Sequence, residues 1–130
     1  MDKFFIEKKI YYHDTDCGKV VYYANYLKYL EEARTEFFLK RGIELKRLAE
    51  KGILFVVAKV DIDYKAAARY QDSLRVYCEV TSVKRVAIEF TNTIKRDSTI
   101  IAQARIVLVC VGNDFKPRSI PEDIKKLLLS

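Results

Sequence analysis

The hydrophobic period of this chain changes once, near residue 54, and that change limits the folds open to it. Ahead of it, Tyr26, Leu30, Ala33 and Phe37, widened by Leu27 and Phe38, form one helical stripe opposite Lys28, Glu32, Thr35 and Glu36. The spacing predicts one long helix over 26–41, with Asn25 as N-cap and Gly42 as the stop. A short second helix is expected over 44–51, ended by Gly52. From Leu54 the period is two. Leu54, Val56, Ala58, Val60, Ile62 and Tyr64 share one face, against Lys59, Asp61, Asp63 and Lys65. Leu74, Val76, Cys78 and Val80 repeat the pattern, and so do Val86, Ile88, Phe90 and Ile94. Residues 100–111 read as a last strand, apolar on both faces after Arg105. Phe4 to Tyr12 is aromatic and β-branched enough for a first strand, and Pro121 is well placed at the first position of a short C-terminal helix.

Long consecutive strands with short turns imply an antiparallel sheet. Its apolar face must be buried, and the aromatic-rich helix is the element large enough to cover it. The expected fold is therefore α+β, a curved sheet wrapped around a central helix. With 130 residues, half of them hydrophobic, the chain suits one domain with one core over 1–130.

The charge is 24 basic minus 18 acidic residues, or +6, which favours an anionic partner. The basic residues are scattered, without the long Lys/Arg run of a nucleic-acid tail. No apolar run approaches bilayer-spanning length, and Met1 to Glu7 turns charged at once, without a signal-peptide core. Cys17, Cys78 and Cys110 are odd in number and widely spaced, unlike a disulfide framework or a CxxC zinc site. The expected location is the cytoplasm.

The irregular stretch before the long helix runs Tyr11-Tyr12-His13-Asp14-Thr15-Asp16-Cys17-Gly18-Lys19-Val20-Val21-Tyr22-Tyr23-Ala24-Asn25-Tyr26-Leu27. It resembles the signature of the 4-hydroxybenzoyl-CoA thioesterase family. Ala33-Arg34-Thr35-Glu36 and Lys116-Pro117-Arg118-Ser119-Ile120-Pro121 extend the resemblance to that family's YbgC-like acyl-CoA thioesterases. The resemblance implies the hot-dog fold, a long central helix wrapped by a curved antiparallel five-stranded sheet, and acyl-CoA thioester hydrolysis without a metal or other cofactor, coenzyme A being part of the substrate. It also implies a homo-oligomer whose sheets join edge to edge, a dimer at least and a homotetramer by expectation, with sites at the subunit interface. The YbgC-like pattern usually carries histidine where this chain has Tyr23, whereas the 4-hydroxybenzoyl-CoA enzymes resemble it in carrying tyrosine. Cys17 and Lys19 replace small residues often found at those places.

Thioester hydrolysis needs a nucleophile, or a base that activates water, and donors for the developing oxyanion. Asp16 stands in the loop ahead of the long helix and is the expected nucleophile or general base. Free N–H groups near Tyr23, Ala24 and Asn25, helped by the helix dipole, are the expected oxyanion and substrate contacts. Lys84 and Arg85 in one turn, and Lys116 and Arg118 around Pro117 in another, are candidates for the phosphates of coenzyme A. Arg69 is a weaker third candidate.

Taken alone, Asp16 also reads as a turn-capping carboxylate, and Asp14 as structural or solvated. His13 is the single histidine, and no nucleophile elbow accompanies it. A Cys17–His13 dyad or a metal site from His13, Asp14, Asp16 and Cys17 ranks below Asp16. Glu31, Glu32 and Glu36 are fallback bases on the helix. The alternative function is a non-catalytic module of the same fold holding acyl-CoA or an acyl carrier. An RNA-binding domain using nine tyrosines ranks lower, because Tyr26, Tyr29 and Tyr64 read as core. A dehydratase of this fold would need a histidine elsewhere.

Overall fold

The long helix is central. In the computed structural model, which describes residues 3–130, the order is β1 (Phe5–Lys9), a single 3₁₀ turn (Tyr12–Asp14), α1 (Asn25–Lys40), α2 (Leu45–Glu50), β2 (Leu54–Tyr64), β3 (Ser73–Val83), β4 (Ala87–Arg96), β5 (Thr99–Val111) and α3 (Glu122–Leu129). The five strands form one antiparallel sheet in the order β1-β3-β4-β5-β2. Tyr26, Tyr29, Leu30, Ala33, Phe37 and Phe38 are buried on α1, and Leu74, Val76, Ile88, Phe90, Ile94, Ile106 and Leu108 are buried on the strands. Phe90 of β4 meets Phe37 edge-on at 5.6 Å and Phe38 at 5.7 Å, so aromatic rings join helix to sheet. This is the hot-dog arrangement, with the sheet left open.

Four local expectations need correction. β1 ends at Lys9, because Ile10 donates its N–H to the Asp72 carbonyl and the chain then enters the 3₁₀ turn. Asn25 is the first helical residue rather than the cap. Ala24 is the N-cap and contributes no side-chain bond. Pro121 likewise stands at the N-cap of α3.

The fourth concerns β2, which does not keep one apolar face. Its register against β5 shifts between Val57 and Lys59, leaving Ala58 as a bulged residue. Val60, Ile62 and Tyr64 sit opposite Ile106, Ala104 and Ala102, which are buried, whereas Phe55 and Val57 oppose the buried Cys110 and Leu108. Leu54 and Val56 therefore point to the other face, because one extra residue reverses a period of two. Val57, Val60 and Tyr64 remain 40–50% exposed, so Tyr64 is not a core residue. β2 is also an edge strand, with one side of its backbone unpaired. Among the described residues no helix is long and apolar enough to cross a membrane.

Candidate active site

Asp16 opens a tight hairpin. Its N–H donates to the Val20 carbonyl at 2.9 Å, and its carbonyl accepts the Lys19 N–H at 2.9 Å. Lys19 adopts φ 66°, the left-handed conformation that returns such a turn to its strand. Thr15 bridges Val21, and Val20 bridges Arg69. Val21 also donates to the Ala68 carbonyl at 2.8 Å, so the hairpin is clamped to the segment after β2. Within the turn, Asp16 Oδ1 accepts the Gly18 N–H at 2.8 Å. Among the described residues its Oδ2 has no hydrogen-bond partner, and the residue is exposed.

Asp14, two residues earlier, does different work. It is buried, its Oδ2 accepts the Tyr11 N–H at 2.8 Å, and its carbonyl accepts the Tyr22 N–H at 3.0 Å and Asn25 Nδ2 at 2.9 Å. It ties the turn to the start of α1. Burial, with the Asp14 carboxylate next, raises the Tyr29 hydroxyl above its ordinary range.

The backbone donors entering α1 can be accounted for one by one. Val21 and Tyr22 are spent as described. Asn25 donates to Tyr22 O at 2.8 Å, Tyr26 to Tyr23 O at 3.3 Å and Leu27 to Ala24 O at 3.2 Å. Tyr23 and Ala24 are the two whose N–H groups meet no acceptor among the described residues. They are consecutive and stand at the positive end of a 16-residue helix. The expectation that Asn25 also offers a free N–H is corrected here: its N–H and its side-chain amide are both committed.

An exposed aromatic rim surrounds this end. Tyr22 and Tyr23 pack at 5.0 Å between ring centroids, Tyr64 packs edge-on to Tyr23 at 6.2 Å, and the Tyr64 hydroxyl donates to the Tyr23 carbonyl at 3.3 Å. Burial, then the neighbouring Tyr23, raises the Tyr64 hydroxyl. Sequence reasoning missed this rim, because Tyr64 ends an alternating strand and so reads as core.

The basic candidates gather elsewhere. Ile120 donates to the Arg85 carbonyl at 2.8 Å, Arg85 Nη1 donates to Ser119 Oγ at 2.8 Å, and Pro117 bridges Val111. Arg118 Nη1 reaches the Gly52 carbonyl at 3.4 Å. Lys84, Arg85, Lys116 and Arg118 thus share one end of the sheet, beside Leu54, which pairs with Val111. Tyr23 packs on Tyr64, at the far end of β2. Ten strand steps separate Leu54 from Tyr64, or about 33 Å if fully extended.

His13 is exposed, stacks on Tyr11 at 5.9 Å and lies 3.9 Å from Asp14 Oδ1. Cys17 is exposed and no hydrogen bond joins it to His13. Among the described residues no three His, Cys, Asp or Glu side chains converge as a metal ligand set. Glu32 pairs with Lys8 at 3.4 Å, while Glu31 and Glu36 are exposed. A cavity of about 890 Å³ lies among Phe5, Tyr77, Thr93, Lys95 and Gln103 and is lined by none of the candidate residues.

Residues 11–128 match the family model described as the thioesterase-like superfamily. The chain belongs to that superfamily. It is closely related to YbgC proteins. It is 36% identical to the acyl-CoA thioester hydrolase YbgC of Escherichia coli O157:H7 over 118 residues, covering 89% of this chain and 88% of that one. It is 38% identical to the acyl-CoA thioesterase YbgC of Haemophilus influenzae over 119 residues, covering 90% and 88%. Among solved structures, a hypothetical protein from Thermus thermophilus superposes with a TM-score of 0.92 at 26% identity, covering 98% of each chain. Kinship with these superfamily members makes the chain a hydrolase of the thioesterase class.

Proposed function

We propose that the chain hydrolyses acyl-CoA thioesters, with Asp16 as nucleophile or general base and the Tyr23 and Ala24 N–H groups as oxyanion donors. The observation that carries this reading is the pair of consecutive unspent N–H groups at the start of α1, in the segment that follows the Asp16 hairpin. A thioester oxygen held there gains two hydrogen bonds and the helix dipole as negative charge develops. Asp16 Oδ1 is fixed by Gly18, which leaves Oδ2 to attack the carbonyl carbon or to take a proton from water. The C–S bond then breaks, the thiolate of coenzyme A leaves with a proton, and the net reaction consumes one water per thioester. The names borne by the YbgC relatives support the same substrate class.

The nucleotide end of the substrate calls for cations, and the chain's own basic loops stand at the wrong end of β2. Antiparallel pairing of the free β2 edge with a second copy would lay the partner's Leu54 end beside Tyr64 and Tyr23. One protomer then supplies Asp16 and the N–H pair, and its partner supplies Lys84, Arg85, Lys116 and Arg118. This supports an edge-to-edge homodimer as the working unit.

A panel of short, medium and aromatic acyl-CoAs, assayed with a thiol reagent that reports free coenzyme A, tests the reading. Release well above the buffer rate for at least one member is expected. Buffer-level rates across the whole panel would overturn it.

A further inference from the structure

A backbone N–H shares a rigid planar peptide with the carbonyl of the residue before it. The Ala24 N–H therefore moves with the Tyr23 carbonyl, and the Tyr23 N–H with the Tyr22 carbonyl. Both peptides are trans, so carbonyl and N–H point in opposite directions and whatever holds the one aims the other. The Tyr22 carbonyl accepts the Asn25 N–H at 2.8 Å, a main-chain bond at the entry to α1. The Tyr23 carbonyl accepts the Tyr26 N–H at 3.3 Å and, on its second lone pair, the Tyr64 hydroxyl at 3.3 Å. Each of these two bonds is longer than usual, so it is the two together that hold this peptide. Among the described residues, Tyr64 is the one side chain that bonds either donor peptide.

The bulge in β2 puts Tyr64 in place. Phe55 and Tyr64 are nine residues apart, an odd number, and in a regular strand they would face opposite ways. The register shift at Ala58 turns both toward α1: Phe55 stacks on Phe38 at 5.9 Å, and Tyr64 packs on Tyr26 at 5.5 Å. Tyr26 is buried and its hydroxyl accepts the Ala68 N–H at 3.1 Å, so it forms a fixed wall. Tyr23 meets the Tyr64 ring edge-on at 6.2 Å. The Tyr64 ring is thus held by two neighbours, with its hydroxyl on the Tyr23 carbonyl.

We propose that Tyr64 is a positioning residue for thioester hydrolysis: through the Tyr23–Ala24 peptide, its hydroxyl aims and strengthens the Ala24 N–H as an oxyanion donor. This rests on the reading of the Tyr23 and Ala24 N–H groups argued above. Negative charge developing on the thioester oxygen polarises the Ala24 N–H. The Tyr23 carbonyl of the same peptide then becomes richer in electrons and a better acceptor for the Tyr64 hydroxyl. The bond tightens as the transition state forms, so its worth appears in kcat rather than in binding. Tyr64 exchanges no proton with the substrate and acts only through the peptide.

Tyr64→Phe tests the role. It removes the hydroxyl and keeps the ring against Tyr23 and Tyr26, at a residue 44% exposed, so the fold should survive. We expect kcat on an acyl-CoA that the wild type hydrolyses to fall about fivefold, less than the roughly hundredfold that follows outright loss of an oxyanion donor. Kd for an alkyl thioether of coenzyme A, which has no carbonyl to offer the N–H pair, should keep its wild-type value. The Ala24 amide nitrogen resonance should move upfield, because its peptide carbonyl has lost a donor, and the Tyr23 nitrogen should move much less. Wild-type kcat, or an unmoved Ala24 resonance, overturns the positioning role and leaves the thioesterase reading intact. A fall in kcat matched by weaker thioether binding also overturns it, since Tyr64 would then be a wall of the substrate pocket. A wild type that releases coenzyme A from no acyl-CoA overturns both readings. At neutral pH, Tyr64→3-fluorotyrosine, a stronger donor of nearly the same size, should move kcat and the Ala24 resonance the opposite way. No movement there overturns the proposal even if Tyr64→Phe fails to fold.

Discussion

Gly18 donates its N–H to Asp16 Oδ1 at 2.8 Å, and a methyl group on Gly18 would stand 3.1 Å from that same oxygen. The glycine therefore serves the carboxylate more than the turn, since the left-handed residue of the hairpin is Lys19. Gly18→Ala should displace the carboxylate by a few tenths of an ångström. We expect kcat for thioester hydrolysis to fall about tenfold, in line with the sensitivity of catalysis to small misplacements, with little change in melting temperature. Unchanged kcat would mean that the Asp16 side chain needs no such positioning.

The separation of the two clusters along β2 predicts complementation between subunits. Lys84→Ala with Arg85→Ala should raise KM for an acyl-CoA about tenfold or more, while a short N-acetylcysteamine thioester, which lacks the nucleotide, is used as before. Mixed with an Asp16→Asn chain, the double variant should recover about a quarter of wild-type activity at low acyl-CoA. Half of randomly mixed dimers are heterodimers, and each restores one of its two sites. No recovery on mixing would place the basic loops and Asp16 of one chain in the same site.

The three thiols should differ sharply. Cys17 is exposed, whereas burial pushes the Cys78 thiol up to about 12 and raises Cys110 as well. At pH 8 we expect one of the three to react with an alkylating reagent in the native protein, and Cys17→Ala to keep most activity. The folded chain holds Cys78 protonated where the unfolded chain ionises. Stability should therefore fall as pH rises above about 9, by up to about 1.4 kcal/mol per unit, until the folded thiol ionises near 12. Tyr29, also raised by burial, adds to the fall above pH 10. A Cys78→Ala variant whose alkaline slope matches wild type would contradict this account.

The helix, the order of elements along the chain and the segment holding Asp16 were legible in the sequence, because periodicity and one dense motif carry them. The bulge at Ala58 was not. Leu54 to Ala58 is apolar at every position and so fits either face, and only the register with β5 shows where the faces exchange. Asn25 is a favoured capping type, yet its side chain is drawn back to the Asp14 carbonyl and the helix begins one residue earlier than expected. Lys84, Arg85, Lys116 and Arg118 could be chosen by charge and loop position. Their nearness to one another, and their distance from Tyr23, depend on which strand ends the sheet brings together.

The most direct test of the account is Asp16→Asn. The amide is nearly isosteric, and its oxygen can still accept the Gly18 N–H, so hairpin and assembly should survive. It can neither attack the thioester nor take a proton from water, while the Tyr23 and Ala24 N–H groups stay in place. With kcat measured by release of free coenzyme A and Kd with a non-hydrolysable thioether analogue, the account predicts a loss in kcat of about a hundredfold or more with binding retained. A folded variant with near-normal kcat would contradict it and leave Asp16 as a turn residue alone.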